Sequence, residues 1–171
     1  MRRPLITHNT KPVVPVFGDP MKGLRLGVAL DKPIYRQGEN PLLRVTLLNS
    51  GDEAFPLTIA HGGMESSINV RGPDGKPVPL TRFGEREAAS TPYSYRISQL
   101  KPGQPMESFL VLNRLYDMSL EGTYTIVLSR VIAKEGDRPI VLTSGTATLE
   151  MKGELSVKDL TTVKEKDQAE K

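Results

Sequence analysis

The chain has no cysteine, no tryptophan and only two histidines among its 171 residues, and its aromatic content is 5%. Each shortage removes a class of function. Without thiols there is no disulfide, no thiolate nucleophile and no Cys-ligated zinc. His8 and His61 are too far apart in sequence for a metal-ligand spacing. No His-Glu-x-x-His or Gly-x-Ser-x-Gly pattern occurs, so zinc-metalloprotease chemistry and the nucleophile elbow of acyl transfer have no motif to build on. No apolar run approaches the ~20 residues that cross a bilayer as a helix. Met1-Arg-Arg-Pro-Leu-Ile-Thr7 has the charged start of a signal peptide without its apolar middle. A cytoplasmic protein and a part of a longer exported chain both stay open.

Charge of one sign is also scarce where it would matter. The formal net charge is +3 and the pI about 9.2. The whole excess lies in residues 1–22, where Arg2, Arg3, Lys11 and Lys22 face Asp19 alone. Residues 23–151 hold 14 basic and 14 acidic side chains. Nucleic-acid binding concentrates positive charge on a folded face, so no nucleic-acid partner is expected. The acidic turn segments Asn49-Ser-Gly-Asp-Glu53 and Asp74-Gly75 are explained by turn propensity rather than by calcium, which needs six to eight converging oxygens. No cofactor and no metal are expected.

What is present is alternation and turns. With 15 Gly and 14 Pro, the chain favours many short connections over long helices. Residues 1–22, with Pro4, Pro12, Pro15 and Pro20, read as an extended arm. Leu24, Leu26, Val28 and Leu30 alternate with Arg25, Gly27 and Ala29, the period of a half-buried strand. After a turn over Asp31–Asn40, further strands are expected at 41–49, 55–59, 68–71, 78–80, 96–100, 106–112, 123–131 and 139–151, with 153–171 a charged tail. Residues 81–95 read as a long loop. Short strands at this spacing predict an all-β fold, an antiparallel two-sheet immunoglobulin-like sandwich with Greek-key connections over residues 23–152.

Asp117-Met-Ser-Leu-Glu-Gly-Thr-Tyr124 sharpens that expectation. Asp117, Gly122 and a Tyr opening an apolar alternating run form the pattern of a tyrosine corner, in which the phenol bonds back to nearby backbone. Ile126 stands two residues later, where antibody domains place their second Cys, so a methyl-rich contact takes the place of a covalent one.

Asp31-Lys-Pro-Ile-Tyr-Arg-Gln-Gly-Glu39 followed by Leu43-Arg-Val-Thr-Leu-Leu-Asn49 resembles the opening hairpin of bacterial immunoglobulin-like modules and of alpha-macroglobulin repeats. Leu100-Lys-Pro-Gly-Gln104 with Leu115-Tyr-Asp-Met-Ser-Leu-Glu-Gly-Thr-Tyr124 is similar to the bacterial intracellular proteinase inhibitor family and to the sandwich preceding the catalytic domain of deuterolysin-like metallopeptidases. The resemblance implies a sandwich and, as one function, protease inhibition.

For recognition, Thr81 to Arg96 stands out because it gathers Arg82, Phe83, Arg86, Tyr93, Tyr95 and Arg96, and Arg and Tyr dominate interface hot spots. The bland alternative is that the tyrosines cover a sheet edge and the arginines are solvated. The chain is expected to be a non-catalytic accessory or protein-interaction module. A proteinase inhibitor working through this loop, with a protease as partner, is the alternative; an enzyme fragment is the third reading.

Overall fold

The computed structural model describes residues 13–61 and 66–153. His8, the first part of the proline-rich arm and nearly all of the charged tail lie outside the described residues. In chain order the strands are β1 (Val16–Phe17), β2 (Leu24–Leu30), β3 (Ile34–Arg36), β4 (Leu42–Asn49), β5 (Phe55–His61), β6 (Ser66–Arg71), β7 (Ser94–Leu100), β8 (Pro105–Val111), β9 (Gly122–Glu135), β10 (Arg138–Thr143) and β11 (Ala147–Lys152). Helix α1 (Arg82–Ala89) precedes β7, and the single turn α2 (Leu112–Leu115) follows β8. The protein is therefore all-β, with two short helices among the described residues. No described helix is long and apolar enough to cross a membrane.

Alternation decides the first layer. β2 and β4 pair antiparallel from Leu24↔Asn49 to Leu30↔Leu43, which puts Leu24, Leu26, Val28, Leu43, Val45 and Leu47 on one buried face. With β1 and β8 they form a four-stranded sheet in the order β1-β2-β4-β8. β1 falls within the expected arm, and its place at the edge fits the prolines around it, since an edge strand can spare ladder donors. The second layer is built on β9, which pairs antiparallel with β6, β10 and β11. Tyr124, Ile126, Leu128 and Ile132 form its buried row, and β2 packs across the core against β9, β10 and β11. A separate two-stranded ribbon, β5–β7, adds Phe55, Leu57 and Leu100 to the same core.

Four expectations fail locally. Residues 31–40 are not all turn: β3 lies within them and pairs in parallel with β11, from Ile34↔Glu150 to Arg36↔Lys152, so the pairing is not wholly antiparallel. Residues 78–80 form no strand: Leu80 makes an isolated bridge to Tyr116, and Pro77, just before them, makes another to Arg71. The strand expected over 139–151 breaks at residues 144–146. There the Ser144 hydroxyl accepts the Leu128 N–H at 2.9 Å and donates to the Gly145 carbonyl at 2.8 Å. The fourth failure is the long loop, whose residues 82–89 are α1 and whose end is β7.

Each of three buried tyrosines satisfies its phenol. Tyr124 donates to the Leu120 carbonyl at 2.8 Å, Tyr116 to the Ile68 carbonyl at 2.9 Å, and Tyr35 to the Asp31 carboxylate. Burial pushes all three phenols above the ordinary tyrosine value, and the bond to Asp31 raises Tyr35 further. Ahead of Tyr124, the Asp117 side chain accepts the Ser119 N–H at 3.2 Å. Gly122 has φ +125°, and a Cβ there would sit 2.7 Å from Pro73. Tyr124→Phe should therefore cost about 1 kcal/mol, the net worth of one such bond with the ring kept. A denaturant titration checks it, and a Phe variant as stable as the parent would mean that the corner bond contributes nothing.

Candidate functional site

The six side chains singled out for recognition fall into two groups on different elements. Arg82, Phe83 and Arg86 belong to α1; Tyr95 and Arg96 belong to β7, and Tyr93 directly precedes it. Sequence already carries signals for α1 that the loop reading overrode. Thr81 is a capping residue, Glu85-Arg-Glu-Ala-Ala89 are good helix formers, and Pro92 follows the end. An eight-residue helix is marginal alone, so its docking supplies the stability. Thr81 accepts the Gly84 N–H at 3.0 Å and donates its hydroxyl to the Arg114 carbonyl at 2.5 Å, while its own N–H reaches the Leu115 carbonyl at 2.9 Å. The start of α1 is thereby fixed to α2.

Phe83 is the aromatic centre of the first group. The guanidinium of Arg114 lies 4.2 Å from its ring centroid and that of Arg86 lies 5.6 Å away, both within cation–π range. Sequence reading missed Arg114, which is 31 positions from Phe83 and becomes its neighbour only through the Thr81 contacts. Beside Phe83 lies a cleft of about 360 Å³, walled by β4, β6, β8, α1 and α2 and reaching Arg130 on β9. Arg130 is only 7% exposed in the inward row of β9, a position where the alternating pattern calls for an apolar residue.

The second group sits on the ribbon. Cross-strand neighbours share a face, and the outer face of β5–β7 holds Thr58 opposite Ile97 and Ala60 opposite Tyr95. Tyr93 is 82% exposed, Tyr95 66% and Ile97 75%. The tyrosine rings therefore stand mostly in solvent, Tyr95 beside residues 130–134 of β9, and Ile97, unremarked in the sequence, extends their row. Arg96 is exposed on the opposite face of the same strand. Large apolar side chains grouped on one face of a folded body are the usual mark of a contact surface.

Asn49 and Asp74, in the turns weighed as calcium sites, are engaged in backbone support. Asn49, 1% exposed, donates to the carbonyls of Glu53 and Leu100 at 2.7 and 2.8 Å and accepts the Gly51 N–H. Asp74 accepts the Lys76 N–H at 3.0 Å. His61 closes β5, paired with Ser94. Among the described residues, no three His, Asp or Glu side chains gather as a metal site would require.

No protein-family model matches the chain, and no curated protein matches it. Among solved structures, 78% of the chain overlays 16% of a β-glucosidase from Listeria innocua in complex with isofagomine, at 13% identity and a TM-score of 0.36. The glucose complex of that enzyme overlays with the same coverage at 11% identity and a TM-score of 0.37. A likeness this slight transfers neither fold nor activity, and the chain spans a small part of the length of those enzymes.

Proposed function

We propose that this chain is a non-catalytic protein-interaction module on an immunoglobulin-like two-sheet sandwich with Greek-key connections. The fold reading is supported by the two facing sheets, by the passage of the chain between them, and by the Tyr124 hydroxyl bonding four residues back as β9 begins. The observation that carries the functional reading is the exposed row formed by Tyr93, just before β7, and by Tyr95 and Ile97 on it. Aromatic side chains offer large contact area for little lost rotamer freedom, and a strand holds them in fixed spacing. The partner is a protein. Inhibition of a protease gains nothing from the geometry, because the segment expected to project as a loop is a docked helix and a strand.

The test is capture from an extract of the native source, with the parent beside a Tyr93→Ala, Tyr95→Ala, Ile97→Ala variant. A partner held by the parent should be lost from the variant, since hot-spot truncation costs on the order of 2 kcal/mol or more per residue. The melting temperature should not move, because all three side chains are exposed. A partner retained equally by both proteins, or catalytic turnover by the purified chain, would sink the reading.

A further inference from the structure

A second surface, distinct from the β7 row, lies on the far edge of the four-stranded sheet. β8 is the last strand in the order β1-β2-β4-β8, and among the described residues it pairs with β4 alone. Its register with β4 is regular from Pro105 to Val111. Free edges in natural proteins are blunted by proline, charge, bulges or a covering element, because the unpaired N–H and C=O groups invite another strand. Here Pro105 and Glu107 guard the first half, while Ser108-Phe-Leu-Val111 carries no proline, no charge and no bulge. That unguarded half opens directly onto the cleft of about 360 Å³, within the roughly 300–1,000 Å³ typical of ligand sites.

The rest of the cleft fixes what it would take. Its floor and walls include Val45, Ile68, Leu110 and Leu115, with Val45 and Leu115 at 5% and 6% exposure, so it reaches the edge of the hydrophobic core. Above them is Phe83 with the Arg86 and Arg114 guanidinium groups against its ring, Arg114 itself lining the cleft. Neither arginine makes an ion pair with a described carboxylate. Glu87 is the acidic residue of the lining. A free strand edge, an apolar floor for alternate side chains and guanidinium groups at the rim match one kind of occupant.

We propose that β8 binds an extended protein segment by strand addition, with the segment's apolar side chains directed into the cleft and acidic ones toward Arg114 and Arg86. Main-chain hydrogen bonds to the edge supply affinity, and the side-chain alternation supplies specificity. Charge complementarity favours an acidic segment and disfavours a basic one.

The probe is a fluorescein-labelled peptide, Glu-Val-Thr-Val-Glu-Val-Thr-Val-Glu, followed by anisotropy with the full chain. Controls are a peptide of the same composition with its valines contiguous and one with Lys in place of Glu. The alternating acidic peptide should bind about tenfold or more tightly than either control, as edge pairing with charge selection requires. Ser108→Trp, which fills the cleft from an exposed position, should abolish binding. Arg114→Glu, also at an exposed position, should weaken it about tenfold. Both variants should keep the parent melting temperature, and the β7 triple variant should bind the peptide as the parent does. Equal binding of all three peptides, no binding of the alternating one, or indifference to both substitutions would overturn the proposal. Sedimentation as a dimer that Ser108→Trp makes monomeric would also overturn it, by assigning the edge to a second copy of the chain.

Discussion

Ile126→Ala should destabilise the domain by about 3 kcal/mol, with a loss of about 10 °C in melting temperature. Ile126 is fully buried on β9, paired with Val70 of β6 and Ala147 of β11. It lies in the row that faces the core beneath β2. Removing its outer methyl groups forfeits their transfer free energy and leaves a cavity that strands held on both sides cannot collapse to fill. Ile126→Val, which keeps the β-branched shape, should lose only about 1 kcal/mol. Chemical denaturation of the three proteins decides the matter. An alanine variant within experimental error of the valine variant would show that the two sheets are not pinned at this position.

Gly84→Ala should destabilise the protein even though alanine is the better helix former. In an open helix the exchange gains about 1 kcal/mol. Gly84 is buried, and a Cβ built on it would lie 2.1 Å from the Leu115 carbonyl oxygen, closer than any real contact allows. That oxygen accepts the Thr81 N–H, so it cannot withdraw without releasing the cap of α1. The helix must lift instead, losing the Thr81 bonds to α2 and the packing of Phe83. We expect a net loss of about 2 kcal/mol, in the range for forced overpacking. Trypsin should cut at Arg82 and Arg86 faster than in the parent, since local unfolding exposes them. The α1 wall of the cleft would loosen as well, so peptide binding at β8 should weaken in parallel. A variant as stable as the parent and equally resistant to trypsin would mean that α1 is not seated on α2 as described.

The different visibility of these two residues in sequence has a physical origin. Ile126 was legible because it belongs to a long alternating run, and in such a run the apolar side chains share a face whatever lies opposite. Gly84 carries no such signal. A glycine inside a short helical pattern reads as a breaker, and only the approach of the α2 carbonyl makes it a requirement. Residues 81–95 read as loop for want of a regular alternation, and eight residues that include a glycine cannot hold a helix without a partner.

The candidate surfaces divide in the same manner. Arg82, Phe83, Arg86, Tyr93, Tyr95 and Arg96 were visible as residue types suited to contact, but not as two groups on separate elements. Ile97 looked like an ordinary strand residue, because alternation says which residues share a face and not whether that face is covered. Arg114 and Arg130 carried no local signal; the first is brought to Phe83 by a capping bond, and the second occupies a row that the pattern reserves for apolar side chains.

By itself, then, the sequence determined the all-β character, the main strands from Leu24 onward, and the formal neutrality of residues 23–151. Those properties follow from local chemistry, in which period-two alternation, turn residues and charge counts act over a few positions. Tertiary structure alone decided the parallel pairing of β3 with β11, the break at Ser144, the seating of α1, the exposed row at β7 and, among the described residues, the edge place of β8. Each of these depends on which distant segment supplies a hydrogen-bond partner or a covering side chain. A chain read in order contains no such information until the sheets are brought together.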